Sequence, residues 1–173
     1  MHLAPLSPHH LHHFDAAFQL YTQAFPREER RDLEEQRRIL SFADYHFQLL
    51  LEGDTLLGIV LYWEVGELIF LEHLATMPQR RNQGLGSAAL SLLKQQGKTI
   101  LLEMEPPADN LTRRRYGFYQ CNGFQMNHYH HIQAKYRQGD PDVVLKILSF
   151  PQPLTEGEYH DFYDYLLRYI AIQ

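Results

Sequence analysis

Cysteine is nearly missing from this chain of 173 residues, and long apolar runs are missing altogether. The one cysteine, Cys121, excludes an internal disulfide and fits a reducing compartment. No run reaches the roughly 18 apolar residues of a membrane-spanning helix, and the first residues, MHLAPLSPHHLHH, lack the apolar segment of a secretion signal. We therefore expect a cytoplasmic protein that has no membrane partner.

A strong excess of one charge is also missing. The formal net charge is −5, so the composition gives no reason to expect nucleic acid or an anionic membrane as a partner. Apolar residues make up 45% of the chain and charged residues 21%, which is ordinary for a soluble globular protein. At this length we expect a single domain over residues 1–173 with a full core.

The hydrophobic periodicity alternates between helix and strand along the chain. It predicts strands over 3–6, 45–52, 55–63, 67–76, 99–104, 124–133 and 143–150, and helices over 8–25, 27–40, 84–96, 113–121 and after the capping box Thr155-x-x-Glu158. The helix over 27–40 is highly charged and is expected on the surface. The resulting order predicts an α/β fold, a mixed sheet covered by helices, with 67–76 parallel to 99–104.

The most informative segment is RNQGLG at residues 81–86, between the strand predicted over 67–76 and the helix over 84–96. Glycine allows a ligand to approach the main chain closely, and the N–H groups at a helix start attract phosphate. Arg80 and Arg81 add positive charge. The R-x-x-G-x-G spacing differs from that of a nucleotide P-loop and from that of a dinucleotide-binding loop. The segment therefore predicts a phosphate site of another kind.

Two further segments accompany this loop: LEHLATMP at 71–78 precedes it, and FYQCNGF at 118–124 follows one β-α unit later. Together the three resemble the GNAT acetyltransferase superfamily, in which an L-A-V-x-P-like strand end leads to an R/Q-x-x-G-x-G/A loop and a later F-Y-x-x-x-G-F segment supplies a tyrosine. The predicted element order agrees with that family over nearly the whole chain. The resemblance implies a GNAT-like N-acyltransferase fold, acetyl-CoA as co-substrate, and transfer of an acetyl group to a primary amine by direct attack in a ternary complex.

The resemblance also implies which residues bind acetyl-CoA. The pantetheine arm is expected to pair with the strand as an added strand at Leu74, Ala75 and Thr76. The pyrophosphate is expected on the main-chain N–H groups of Gln83, Gly84, Leu85, Gly86 and Ser87, with Arg81 and Asn82 beside it. Many relatives carry an asparagine and then an alanine before the tyrosine, where this chain has Thr112 and Arg115. Arg114 belongs to a basic run that either reaches the cofactor phosphates or forms a solvated helix face.

Acetyl transfer to an amine requires an acid for the departing CoA thiolate and a base, or water, for the amine proton. The resemblance places Tyr119 beside the thioester, so its phenol is the expected acid. Glu72 is the first expected base, because its strand is apolar and desolvation there would raise its pKa. Glu103 on the neighbouring strand is the rival base, and water is the third option. Either carboxylate is otherwise a structural anchor paired with an arginine or with His73.

The histidines predict no metal site. Those near the N-terminus have no cysteine or carboxylate ligand pattern beside them, and those at 128–131 alternate along a strand and cannot all face one ion. The acceptor is expected to be a small-molecule or peptide amine, which the sequence leaves unidentified. The aromatic final helix suits a homodimer contact. The competing function is an acetyl-CoA-binding sensor or interaction module with little catalysis.

Overall fold

The computed structural model describes residues 1–135, 139 and 141–170. In this part of the chain, eight strands form a mixed sheet flanked by helices, which confirms the predicted fold class. The chain divides into two compact units, Met1–Glu64 with Leu71–Gly97 and Val65–Phe70 with Lys98–Gln173. Strand β4, Leu68–Thr76, passes from the second unit into the first.

The strands of the first unit follow the order β1-β2-β3-β4. They are β1 at His2–Pro5, β2 at Tyr45–Glu52 and β3 at Thr55–Val65. β2 and β3 form an antiparallel hairpin, as the sequence predicts, and Gly53 in its turn has a φ of 58° that favours glycine. β1 pairs antiparallel with β2, so Leu3 lies opposite Leu50.

Helix α1, Phe14–Ala24, follows a separate 3₁₀ turn over Pro8–His13. The sequence predicted one continuous helix over 8–25. The chain departs from it because His10 leaves the helical region, at φ −119°, and Ser7 makes no side-chain cap bond to the helix start.

Helix α2, Leu33–Ile39, is shorter than the helix predicted over 27–40. Arg27–Glu29 forms its own 3₁₀ turn, and α2 begins with a capping box. In that box the Asp32 carboxylate accepts a hydrogen bond from the Glu35 N–H at 2.9 Å, and the Glu35 carboxylate accepts one from the Asp32 N–H at 3.0 Å. The surface position expected for this segment is wrong for three residues, which are buried: Arg31, Gln36 and Ile39.

The strands of the second unit follow the order β4-β5-β8-β6, and β7 also pairs with β8. They are β5 at Thr99–Met104, β6 at Gln125–Met126, β7 at His131–Ile132 and β8 at Val144–Phe150. β4 and β5 are parallel, as predicted, over three residue pairs that end at Phe70 and Leu101. β5, β6 and β7 each pair antiparallel with β8.

Two elements of the second unit differ from the prediction. Helix α4, Asn110–Cys121, begins three residues before the predicted start, because Asp109 and Thr112 form a capping box. The strand predicted over 124–133 is instead the two short strands β6 and β7. The buried side chain of Asn127 lies between them and donates hydrogen bonds to the Ser149 hydroxyl at 2.9 Å and the Ile147 carbonyl at 3.3 Å.

Helix α5, Glu156–Tyr165, opens on the predicted capping box of Thr155 and Glu158 and continues into a π-helical turn over Leu166–Ile170. Its hydrophobic spacing predicts four inward residues, of which Phe162, Leu166 and Ile170 are buried and Tyr159 is only half-buried. The sequence also predicts a loop over 139–141, between the strands predicted over 124–133 and 143–150; Asp140 in that loop lies outside the described residues. Within the described ranges, no helix combines the length and hydropathy needed to cross a bilayer.

Candidate active site

Glu72 lies on β4 in the first unit and forms a buried ion pair with Arg31. Arg31 Nη1 and Glu72 Oε2 are 2.8 Å apart, and the two side chains are 6% and 1% exposed. Trp63 Nε1 donates to the same oxygen at 3.2 Å, and His73 Nδ1 lies 3.6 Å from it. Burial by itself raises the pKa of Glu72, but the charge of Arg31 and the neighbouring His73 outweigh it and hold that pKa well below its ordinary value.

The upward pKa shift expected for Glu72 is therefore wrong in direction. The expected shift rests on desolvation of the carboxylate. In the structure the guanidinium of Arg31, 41 residues away along the chain, lies against that carboxylate. Glu72 thus matches the alternative of an anchor paired with an arginine and His73. Arg31 sits in a charged stretch that looks solvated in the sequence, so no local signal identifies it as the buried partner. The role of Glu72 as base stays a prediction.

The glycine loop lies in the first unit between a 3₁₀ turn, Pro78–Arg80, and helix α3, Leu85–Lys94. Asn82 and Gly84 both adopt left-handed backbone, with φ of 61° and 75°. Gly84 is the N-cap of α3 and supplies no side-chain cap, and a Cβ built on it meets no described atom within 4 Å. Residues 80–84 are exposed. The loop therefore presents accessible main chain at the positive end of a helix dipole.

The strand before the loop also exposes its main chain. The Glu72 side chain is 1% exposed while the residue as a whole is half-buried, so its accessible area belongs to the backbone. Leu74 and Thr76 are likewise half-buried. On the β3 side, Gly58 allows a close approach, because a Cβ there would lie 2.5 Å from the Ala75 carbonyl oxygen.

Glu103 lies on β5 in the second unit and is linked to His131 on β7. Glu103 Oε1 and His131 Nε2 are 2.5 Å apart, and His131 Nδ1 lies 3.1 Å from the Tyr159 hydroxyl on α5. The Glu103 side chain is 12% exposed, whereas that of His131 is fully buried. In the sequence His131 is one of several histidines along a predicted strand, and no local pattern indicates this link, which joins residues 28 positions apart.

Tyr119 lies in the last turn of α4, also in the second unit. Its ring packs edge-on against Phe118 and Phe124, with centroids 5.0 Å and 5.6 Å away. Burial raises the pKa of Tyr119 to about 12, although the charge of Arg115 acts in the opposite direction. The phenol therefore keeps its proton at neutral pH and is available as a hydrogen-bond donor.

The basic run and the residues that depart from the family pattern lie at the start of α4. Thr112 is buried in the capping box, where its N–H donates to Asp109 at 2.8 Å and its hydroxyl accepts from the Asp109 N–H at 3.0 Å. Arg115 pairs with Glu105 at 3.2 Å, both side chains being nearly half-exposed. Arg114 is exposed. Thr112 and Arg115 are thus tied to structural partners.

The N-terminal histidines acquire a carboxylate neighbour that the sequence pattern did not reveal. His12 Nε2 and His13 Nε2 each lie 3.1 Å from Asp54 Oδ1 in the β2–β3 turn. One ring nitrogen of each histidine and one Asp54 carboxylate oxygen, the atom types that bind metals, all lie within 4.8 Å of one another. The two imidazole hydrogen bonds lower the pKa of Asp54, and two N–H donors on one carboxylate oxygen account for the arrangement.

The predicted site residues divide between the two units. Glu72, the strand residues Leu74–Thr76 and the glycine loop belong to the first unit, while Glu103, Tyr119 and Arg114 belong to the second. Within the first unit, Glu72 and the strand residues share β4, which leads to the loop. Within the second unit, Glu103 and Tyr119 lie on consecutive elements, β5 and α4.

Comparison with known proteins identifies the class. The acetyltransferase (GNAT) family matches residues 14–124, and the chain belongs to this family. "Putative acetyltransferase YjbC" of Bacillus subtilis (strain 168) is 34% identical over 103 residues, which cover 58% of this chain and 53% of that protein. The match thus spans about half the length of this curated relative.

Solved structures share the whole fold. One described as "Putative acetyltransferase from GNAT family from Bacteroides thetaiotaomicron" has a TM-score of 0.92 and 27% identity, and the match covers 100% of both chains. An aminoglycoside 6'-N-acetyltransferase complexed with coenzyme A has a TM-score of 0.65 at 16% identity, and the match covers 90% of this chain and 100% of that one. The second likeness concerns the fold alone.

Proposed function

We propose that this protein is an acetyl-CoA-dependent N-acetyltransferase that moves an acetyl group to a primary amine by direct attack. The observation that carries the proposal is the exposed glycine loop at the start of α3, in a chain of the GNAT family. Phosphate oxygens require N–H donors and positive charge, and this loop offers both, with Arg81 at its start. The coenzyme A complex of the aminoglycoside acetyltransferase of the same fold supports the choice of co-substrate.

Replacing Gly84 with valine is expected to weaken acetyl-CoA binding by about 2 kcal/mol, roughly 30-fold in Kd. A side chain there would take the space of the phosphate and disfavour the φ of 75° that aims the N–H groups. Gly66→Val is the matched control, because Gly66 has a φ of 60° and equally open surroundings but lies in the turn between β3 and β4, outside the glycine loop. Calorimetric titration measures both. Equal Kd values for the two variants would reject the loop as the pyrophosphate site.

The pantetheine arm of acetyl-CoA is proposed to pair with β4 at Leu74, Ala75 and Thr76. The parallel ladder of β4 with β5 ends at Phe70, four residues before Leu74. The exposed backbone of Glu72 and the half-buried Leu74 and Thr76 support an added strand at this edge.

For the base, the geometry favours Glu103 over Glu72. Glu72 is fixed by Arg31, its side chain is 1% exposed, and its lowered pKa makes it a poor proton acceptor. Glu103 retains some exposure and is hydrogen-bonded by a histidine that orients it. In the proposed step Glu103 takes a proton from the substrate ammonium, and the free amine nitrogen attacks the thioester carbonyl. The carbon–sulfur bond then breaks, the thiolate leaves beside Tyr119, and the second proton of the nitrogen ends on that thiolate.

Glu103→Gln is expected to lower kcat/KM about tenfold at pH 7, with the deficit shrinking towards pH 9. At higher pH more amine is already unprotonated, so a base contributes less. Glu105→Gln is the matched control, since this carboxylate lies two residues away and is paired on the surface with Arg115. Full pH–rate profiles decide the point. A tenfold loss in Glu72→Gln with none in Glu103→Gln would restore Glu72 as the base, and no loss in either would assign the step to water.

The alternative function is a module that binds acetyl-CoA with little catalysis. It draws on Thr112, which stands where many relatives have an asparagine and is buried in the α4 capping box. Turnover of acetyl-CoA with a panel of polyamines, aminoglycosides, amino acids and peptide N-termini separates the two functions. Binding without turnover on every amine would favour the module. A homodimer through the aromatic α5 remains a prediction that sedimentation analysis tests.

A further inference from the structure

The second unit contains a chain of hydrogen bonds that ends on Glu103. We infer that His131 and Tyr159 are positioning residues that hold the Glu103 carboxylate for proton uptake, an inference that rests on the proposed function of Glu103 as base. Glu103 Oε1 meets His131 Nε2 at 2.5 Å, and His131 Nδ1 meets the Tyr159 hydroxyl at 3.1 Å. The three side chains come from three different elements, β5, β7 and α5.

The donor and acceptor roles along this chain follow from its carboxylate end. An ionised carboxylate only accepts, so the proton between it and His131 sits on Nε2. In the neutral ring Nδ1 is then a bare acceptor, and the Tyr159 hydroxyl is the donor that meets it. Burial, with the nearby Tyr163 and Glu103, raises the pKa of Tyr159 to about 12, so this hydroxyl keeps its proton.

Tyr159 also suits the protonated form of His131. Its hydroxyl lies 3.3 Å from the carbonyl oxygen of His130, so it can turn and donate there while accepting from Nδ1–H. In both protonation states of His131, Nε2–H still points at Glu103 Oε1. One carboxylate oxygen is therefore held in place, and the other is left for the proton that the substrate ammonium releases.

Aromatic rings surround the imidazole of His131. His131 packs against the rings of Tyr159, Phe162 and Tyr163, at centroid distances of 5.9 Å, 6.0 Å and 5.6 Å. Tyr129 stacks on the Tyr159 ring at 4.0 Å, and the residue of β8 opposite Glu103 is the apolar Ile147. The titratable groups that face His131 from α5 are thus Tyr159 and Tyr163. Of these two, Tyr159 makes the hydrogen bond.

The test compares Tyr159→Phe with Tyr163→Phe, two neighbouring rings on α5 that each lose a hydroxyl. Without the Tyr159 hydroxyl, His131 is free to place its proton on Nδ1, which turns a lone pair towards Glu103 and disfavours the ionised carboxylate. The midpoint of the acidic limb of the kcat/KM profile is expected to shift to higher pH by about half a unit in Tyr159→Phe. In Tyr163→Phe it is expected to keep its wild-type position. A uniform loss at every pH, or equal profiles for the two variants, would overturn the inference.

His131 is tested by two substitutions. His131→Phe removes the donor to Glu103 and is expected to move the acidic limb up by about one pH unit, whereas His131→Gln places an amide N–H near the position of Nε2 and restores most of the shift. If the acidic limb of His131→Gln lies at as high a pH as that of His131→Phe, the role of His131 as hydrogen-bond donor to Glu103 is contradicted.

Nitrogen NMR of the imidazole provides a readout that needs no turnover. The wild-type protein is expected to show the Nε2–H form of His131 and Tyr159→Phe a mixture of tautomers. An unchanged spectrum in Tyr159→Phe would refute the positioning role even in an active enzyme. Failure of the proposed function is a different result: no turnover on any amine, or a Glu103→Gln enzyme with an unaltered acidic limb.

Discussion

Glu72→Gln is expected to lower the free energy of unfolding by about 3–5 kcal/mol, because it removes one partner of a buried ion pair. The Arg31 side chain is 6% exposed, and its guanidinium lies over the Trp63 ring at 5.6 Å. A glutamine amide fills the space of the carboxylate but carries no charge, so the guanidinium stays buried without its counter-ion. Chemical denaturation of both proteins measures the difference.

Glu64→Gln is the matched control for this prediction. Glu64 pairs with His46 at 3.1 Å, but both side chains are more than a quarter exposed, so its loss is expected to cost less than about 1 kcal/mol. The double variant Arg31→Met with Glu72→Gln is expected to recover much of the lost stability, because no unpaired charge remains buried. If Glu64→Gln and Glu72→Gln lower the free energy of unfolding equally, the buried ion pair contributes no more to stability than the more exposed one.

The same ion pair predicts how stability depends on pH. Arg31 holds the pKa of Glu72 well below its ordinary value in the folded protein, so folding favours the ionised form. The contribution is full above the unfolded-state pKa of about 4.3 and is lost as the pH falls below it towards the folded-state pKa. Wild-type stability is therefore expected to fall more steeply with acid than that of Glu72→Gln, which lacks this group.

The strands were the most predictable part of the fold. β2 and β5 have the predicted bounds, because an alternating or apolar run between turn residues fixes both ends locally. The prediction of one helix over 27–40 is wrong because the Asp32 side chain bonds to the backbone as an N-cap. Helix α2 therefore begins after Asp32, and the preceding segment is separate from it. The prediction of one strand over 124–133 is wrong at Asn127, two of whose side-chain hydrogen bonds go to Ser149 and Leu154, 22 and 27 positions away.

The candidate site was predictable as a motif but not as a set of contacts. Gly84 lies at the start of α3, as its place between a predicted strand and a predicted helix indicates, and the family that the three segments resemble is the family to which the chain belongs. The partners of the two carboxylates were not readable, because Arg31 and His131 lie 41 and 28 residues from them. Spacing along the chain cannot reveal a charge pair made by tertiary packing, and this pair reverses the pKa shift expected for Glu72.

Tyr119→Phe is expected to lower kcat about 10²-fold while acetyl-CoA binding stays nearly unchanged. The phenylalanine keeps the ring that packs against Phe118 and Phe124, so the local structure of α4 should survive. Tyr116→Phe is the matched control, one helical turn earlier on α4. Steady-state kinetics and calorimetric titration together separate the effect on turnover from the effect on binding.

The raised pKa of Tyr119 defines what its hydroxyl can do. Full proton transfer from a phenol of pKa about 12 to a thiolate, whose conjugate acid has a pKa near 8.5, is uphill. The hydroxyl is therefore expected to stabilise the charge growing on sulfur by a hydrogen bond that is strongest in the transition state. A more acidic leaving thiol needs less stabilisation of the charge on its sulfur. The loss of kcat in Tyr119→Phe should therefore be smaller with an acyl donor that carries such a thiol. A deficit that is the same for every donor would place the role of Tyr119 elsewhere than at the leaving group, and a variant as fast as the wild type would remove Tyr119 from the mechanism.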